Sequence, residues 1–206
     1  IAKLLTVAGR TDIPIGLVEC GRDGSGGQQP WVQDYKLADY PGQVLQDGAG
    51  ALIEVIERSP QPMTVIAIGP LNTLGASLDR RPGIAAKAAL VGMHGSVRKG
   101  YGGGKKIDAE YNVKANVAAA RKVLSAPWRQ ITITPLDTCG LVTLSGARLD
   151  RLKASQDPLV KALLENYRIW SRKQRMDQLQ ESSILFDTVA VYLAYPEARP
   201  LVKFET

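Results

Sequence analysis

The sequence predicts an α/β fold, a mostly parallel, doubly wound sheet with helices flanking both faces. Three observations point there. Short apolar, β-branched runs recur at Met63–Ile68, Ala88–Met93 and Gln130–Thr134; stretches with helical apolar spacing separate them; and Gly and Pro punctuate the joints, as at Ser59-Pro60 and Gly69-Pro70. Strand, helix, strand in repetition requires crossover connections, and crossovers build parallel sheets covered by helices.

Taken in order, Leu4, Leu5 and Ala8 mark the last turns of an amphipathic helix closed by Gly9, and Asp12–Val18 (DIPIGLV) reads as a strand. That helix has no N-cap and is too short to stand alone, so the chain is expected to begin inside an element. Residues Glu19–Gly42, rich in Gly, Gln, Asp and Pro, read as a long loop of the kind that serves as a lid or binding loop. Leu52, Val55 and Ile56 mark one face of a helix running to Arg58, where Ser59-Pro60 stops it. Strand Met63–Ile68 follows, then a helix over Leu74–Leu78, strand Ala88–Met93, a helix over Val117–Leu124 and strand Gln130–Thr134. Beyond Thr138 the pattern turns helical: Leu159, Leu163, Tyr167 and Trp170 line one stripe, and a last helix carries Val189 and Leu193, with Phe186 as a further candidate. Leu201–Glu205 resumes an extended pattern and stops, so the chain is expected to be cut at both ends. No repeat and no linker divides it, and residues 1–206 are read as one partial α/β domain.

Composition narrows the classes. The 206 residues, 45% hydrophobic and 22% charged, are globular in character, and the 20 Gly and 12 Pro are scattered, which excludes collagen-like, linker-like and disordered readings. No apolar run is long enough to cross a bilayer, so no membrane partner is expected. Ile1–Arg10 lacks the regions of a signal peptide. Cys20 and Cys139 are too few for a disulfide framework; a pairing stays open, and two free buried thiols in a reducing compartment, the cytoplasm, is the reading adopted. The net charge of +6 is dispersed. Its densest patches are Arg98, Lys99, Lys105, Lys106, broken by glycines, and Arg168, Arg172, Lys173, Arg175 at a helix end. Neither carries the interleaved aromatics of a stacking platform, so no nucleic-acid partner is expected.

In an open parallel sheet, ligands bind at the carboxyl ends of the strands. The residues just past those ends are Gly69–Thr73, Met93–Ser96 and Leu136–Thr138, to which the glycine loop Gly100–Gly104 and the pair Glu110 and Asn112 are added. Each has a plain structural reading too. The glycine run matches no phosphate-loop pattern. His94, the lone histidine, is as often structural as catalytic. Glu110 is either a ligand-binding carboxylate or a helix cap for the turn ahead of Ala115, and Asp187 either a ligand or an N-cap.

Five segments in order, IAIGPLNTLGASL (66–78), VGMHGSV (91–97), GYGGG followed by DAEYNVKAN (100–116), ITPLDTCG (133–140) and FDTVAVYLA (186–194), resemble the inosine-uridine nucleoside hydrolase family, calcium-dependent N-ribohydrolases. The most specific element is the triplet Glu110-Tyr111-Asn112. The resemblance implies a nucleoside hydrolase-like fold and cleavage of the N-glycosidic bond of ribonucleosides. It implies Ca²⁺ as cofactor, held in part by Asp187 and the backbone carbonyl of Ile68, which suits a hard cation. It assigns Glu110 and Asn112 to ribose hydroxyls and Met93 to the same pocket. Outside the resemblance, His94, beside Met93 at a strand end, and Tyr167, on a helical stripe where packing is the competing role, are further substrate-side candidates, as the groups able to give a proton to the departing base. The resemblance also implies a small-molecule nucleoside partner and a homo-oligomer, a dimer or tetramer.

This chain departs from the family pattern at stated places. The DxDxGxDD motif is absent from it, so the catalytic base, an Asp, is expected upstream of Ile1. Phe186 stands where many relatives place a His, Gly104 or a neighbour where a loop Asn often stands, VLQDG (44–48) contains no His, and Asn72-Thr73 reverses the family's order. A non-catalytic ribose-binding relative is the alternative reading.

Overall fold

A computed structural model describes residues 1–18, 26–172, 176–195 and 203–204. Cys20, Lys173, Arg175 and most of the run Leu201–Glu205 lie outside the described residues. The elements in chain order are α1 (Ala2–Val7), β1 (Ile15–Gly16), α2 (Gln29–Val32), β2 (Val44–Leu45), α3 (Gly48–Arg58), β3 (Met63–Ala67), α4 (Asn72–Arg80) and β4 (Ala88–Met93). They continue with α5 (Tyr111–Ala115), α6 (Val117–Leu124), β5 (Gln130–Thr134), α7 (Leu136–Cys139), α8 (Gly146–Lys153), α9 (Pro158–Ser171) and α10 (Phe186–Leu193).

These elements gather into two compact units, one from residues 1–48 and 144–182, the other from 49–143 and 183–206. In the second unit, β3, β4 and β5 form a parallel sheet in that order, with Val65 opposite Leu90 and Val91 opposite Thr132. Strand side chains alternate between faces, and β4 shows the consequence. Ala88 and Leu90 pack into one cluster with Ile53 and Ile56 of α3, Leu78 of α4 and Val123 of α6. Val91 and Met93 pack into another with Leu136 and Cys139 of α7 and Val189, Ala190 and Leu193 of α10. Helices therefore cover both faces of β4, which is the doubly wound arrangement the sequence predicts. Full burial of each Val, Leu, Ile or Met side chain among these contributes about 1.5–3 kcal/mol. Helices α4 and α6 touch closely because Gly75 has no side chain: a Cβ there would lie 3.0 Å from that of Ala119.

In the first unit β1 and β2 pair in parallel, Ile15 with Val44 and Gly16 with Leu45. Gly16 is required there, since a Cβ on it would come within 2.8 Å of the Gly48 Cα. The Tyr40 hydroxyl donates to the Ile13 carbonyl, and α1 and α2 pack on α9. No described helix is long and apolar enough to cross a membrane.

Several expectations change. The strand over Asp12–Val18 contracts to Ile15–Gly16; on its N-terminal side, Pro14 has no N–H to offer a ladder. The segment read as loop over Glu19–Gly42 contains α2 and a 3₁₀ turn at Leu37–Asp39. On α3 the buried face is Ile53 and Ile56, while Val55 is exposed. On α9 Leu159 and Tyr167 are half-buried, and Leu163 and Trp170 are exposed. Helices α5, α7 and α8 are additions to the predicted set.

Candidate functional site

The carboxyl ends of β3, β4 and β5 open into three loops that hydrogen bonds stitch together. His94 Nε2 lies 3.2 Å from the Gly69 carbonyl, joining the exits of β3 and β4. The Leu136 N–H donates to the Gly95 carbonyl at 2.9 Å, joining the exits of β4 and β5. Asp137, just past β5, accepts from the N–H groups of Val97 (2.8 Å), Arg98 (2.7 Å) and Lys99 (3.1 Å). Desolvation alone would push its carboxyl up, but those backbone donors outweigh it and hold it below the ordinary carboxylate range.

Glu110 and Asn112 stand at the centre of this arrangement, both buried. Glu110 caps α5: Oε1 accepts from Asn112 N–H at 2.7 Å, and Oε2 from Val113 N–H at 3.1 Å and Gly95 N–H at 3.0 Å. The capping role expected of Glu110 is thus present. A carboxylate offers about four acceptor positions, so three are filled and one, on Oε1, is left for another donor. The Asn112 side chain donates from Nδ2 to the Met93 carbonyl at 3.0 Å and touches Met93 Sδ at 3.4 Å. Its Oδ1 accepts from no group among the described residues, so Asn112 too presents an acceptor.

Asp187 occupies the first turn of α10, whose N-cap position is held by Leu185, so the N-cap alternative for Asp187 does not apply. Its carboxyl is pushed up, first by desolvation and then by the negative charge of Glu110. Two carboxylates thus face one another's charge at this end of the sheet, and α10 packs against β3, β4 and β5. Ile68 follows directly on β3 and is exposed. Among the described residues no group of three His, Cys, Asp or Glu side chains comes together around a metal position.

His94 is buried, and its Nδ1 has no hydrogen-bond partner among the described residues. Burial holds its pKa below the ordinary value, against the opposing pull of the Gly69 carbonyl and the Glu110 charge, so the ring is neutral at pH 7. Met93 is buried beneath Asn112. Tyr167 belongs to the other compact unit, on α9, with its ring 5.7 Å from that of Trp170. The structure therefore brings Glu110, Asn112, Met93, His94, Asp187 and Ile68 into one unit, and Tyr167 falls in the other.

Sequence reasoning passed over two residues here. Tyr101, in the glycine loop, stands edge-on to Phe186 with ring centroids 6.0 Å apart, and its hydroxyl accepts from Tyr111 N–H at 2.9 Å. Asp108 accepts from Tyr101 N–H at 2.8 Å. The signal available was Gly100, where any Cβ would collide with the Asp108 carboxylate.

The order of these segments matches a known pattern from end to end: the family model described as inosine-uridine preferring nucleoside hydrolase matches residues 2–204. The chain belongs to this family. Among curated nucleoside hydrolases, the pyrimidine-specific ribonucleoside hydrolase RihA of Enterobacter sp. is 25% identical over 182 residues, covering 80% of this chain and 54% of its own. The non-specific ribonucleoside hydrolase RihC of Salmonella paratyphi B is 30% identical over 146 residues, covering 69% of this chain and 46% of its own. The chain spans about half the length of the curated relatives it matches. Among solved structures, a plant nucleoside hydrolase, PpNRh1, superimposes with a TM-score of 0.75 at 20% identity, over 98% of this chain and 65% of that one. A purine-preferring ribonucleoside hydrolase from Gardnerella vaginalis gives 0.67 at 15% identity, over 97% and 66%. At those identities the likeness establishes the nucleoside hydrolase fold.

Proposed function

We propose that the protein carrying this chain hydrolyses the N-glycosidic bond of ribonucleosides to ribose and free base. The observation that carries the reading is the pair Glu110 and Asn112: two buried side chains at the carboxyl end of β4, each keeping one acceptor unfilled by protein. Acceptors held in a partly desolvated site suit hydroxyl donors, and a ribose ring is edged with them. Loss of the base leaves positive charge on the sugar, an oxocarbenium-like centre, which the carboxylates of Glu110 and Asp187 would stabilise electrostatically.

A calcium ion fits the donors in part. Burial first, and then the charge of Glu110, push the Asp187 carboxyl up, and a carboxylate plus the Ile68 carbonyl are oxygen ligands of the type Ca²⁺ takes. When bound, such an ion would supply an oriented, acidified water. The remaining ligands and the general base are assigned, on the family resemblance, to an acidic motif upstream of Ile1. The resemblance likewise supports reading both compact units as parts of one nucleoside hydrolase-like domain and the protein as a homo-oligomer. Reading His94 and Tyr167 as substrate-side residues rests on their own chemistry, as groups able to supply a proton to the departing base, and the cytoplasmic reading rests on the cysteine usage.

The test is ribose release from inosine and uridine by the full-length protein with calcium present, together with calcium titration calorimetry. Asp187→Ala is expected to remove calcium binding and nearly all turnover; unchanged calcium binding in that variant would overturn its role. Asn112→Ala is expected to weaken ribonucleosides more than their 2′- or 5′-deoxy analogues, and equal losses would count against the ribose assignment. Nucleoside binding without ribose release would favour the non-catalytic reading.

A further inference from the structure

His94 is buried at the exit of β4, and its side chain is held at both edges of the ring. One edge rests on Gly92, where any Cβ would collide with Nδ1, so the glycine leaves the imidazole its seat. The other edge reaches the Gly69 carbonyl past β3. A carbonyl only accepts, so Nε2 carries the hydrogen and donates it. Nothing lies within 4 Å of a Cβ position on Gly69, so at this point the exit of β3 is held by that bond and not by side-chain packing.

The anchored ring bears on the next peptide. The N–H of Gly95 belongs to the planar unit that begins at the His94 carbonyl carbon, so its direction follows the His94 backbone. That N–H donates to Glu110 Oε2. The other two donors to this carboxylate, the N–H groups of Asn112 and Val113, come from the turn of α5 that Glu110 itself caps. Gly95 N–H is therefore the donor that ties Glu110 to the sheet. Gly95 stands at φ +83° with nothing within 4 Å of a Cβ position, so its glycine serves backbone direction and not space. Its carbonyl accepts from Leu136 N–H, so the peptide units on both sides of it are in use. A residue this free to rotate needs a restraint on its N-terminal side, and the bond from His94 to Gly69 supplies one. All of these residues belong to one compact unit.

We infer that His94 is a positioning residue for the ribose site: by holding the Gly69 carbonyl it fixes the peptide whose N–H sets Glu110 Oε2, and with it the acceptor that Glu110 keeps for a hydroxyl. The inference rests on the ribose reading of Glu110 and Asn112. Its test is the pair His94→Gln and His94→Leu in the full-length protein. The Gln amide reaches about as far as Nε2 and can donate to Gly69, whereas Leu fills the space without a donor. On inosine, kcat/KM is expected to fall about tenfold in His94→Leu, through KM, and to stay within about threefold of the parent in His94→Gln. p-Nitrophenyl riboside, which needs no proton on departure, should show the same pattern because it carries the same ribose. A Leu variant equal to the parent would leave His94 a packing role and overturn the inference, as would equal KM losses in both variants. A fall in kcat on inosine in both variants, absent on p-nitrophenyl riboside, would make His94 a proton donor and overturn it too. Should His94→Leu not fold, His94→Asn, whose amide stops short of Gly69, takes its place with the same expected loss. Hydrogen exchange over Met93–Val97 reads the restraint without turnover: the Gly95 amide should lose protection in His94→Leu and keep it in His94→Gln. If the parent neither binds nor cleaves a nucleoside, that pattern upholds the hold on Glu110 while the ribose reading falls, and equal protection in both variants overturns it.

Discussion

The His94 ring lies against Gly92, where a Cβ would fall 2.6 Å from Nδ1, so Gly92 is the space the imidazole occupies. With Nε2–H donating to the Gly69 carbonyl, Nδ1 is a lone acceptor sealed from water. Protonation would place a charge in that dry position, which is why desolvation holds the pKa below its ordinary 6.5 despite the Gly69 carbonyl and Glu110. In the unfolded chain the same ring takes a proton near the ordinary value. The unfolded state therefore binds more protons, and the contribution of His94 to stability is full above that value and lost as pH falls through the lower folded pKa. Urea unfolding followed from about pH 7 down to about pH 5 should show stability falling, and His94→Gln should flatten that slope. An identical slope in the variant would mean that other groups set it. At this scale the sequence was informative about chemistry and ambiguous about role. Glu110 is legible in its triplet, yet only the fold shows one carboxylate capping α5, holding Gly95 and keeping an acceptor in reserve.

Helix α6 owes its start to Asn116, whose Oδ1 accepts from Ala119 N–H at 3.0 Å while Nδ2 donates to Asn72 Oδ1 at 2.7 Å. One side chain thus caps α6 and ties it to the first turn of α4, and it is Asn72, one of the pair reversed against the family pattern, that receives the tie. Asn116→Ala should cost about 0.5–2 kcal/mol through the lost cap. Asn116→Asp should keep the cap, lose the tie and cost less. Thermal unfolding of the two variants orders them, and an Ala variant as stable as the parent would remove the cap from the account. Among the elements, β4 matches its predicted bounds because a strand buried on both faces reads as one continuous apolar run. The short helices α5 and α7 were not legible, since four or five residues are too few for a period of 3.6 to show, and α5 is set by a side-chain cap. Val55 and Ile53 differ by half a turn, and apolar spacing alone did not decide between them.

The two compact units differ in how much they bury. The β3–β4–β5 unit has a cluster on each face of its central strand, with Leu90, Val123 and Leu136 fully enclosed. The other unit buries Tyr40, Leu149 and Leu179, while neither α1 nor the fourteen-residue α9 has a buried residue. Its strands are two residues each, enough for few ladder hydrogen bonds. No linker was legible in the sequence because the division is not sequential: each unit is built from two segments separated in the chain by a segment of the other. Local stability follows buried apolar contact and enclosed hydrogen bonding, so the units should open at different free energies. Hydrogen exchange followed by mass spectrometry should find the slowest amides in β4, which is paired on both sides, and in the buried faces of α4, α6 and α10. Peptides from α1, β1, β2 and α9 should exchange well before them, and by a larger margin than helix-end fraying produces. Equal protection across both sets would mean that the chain opens only as a whole, and that the thinner unit draws stability from a source other than its own core.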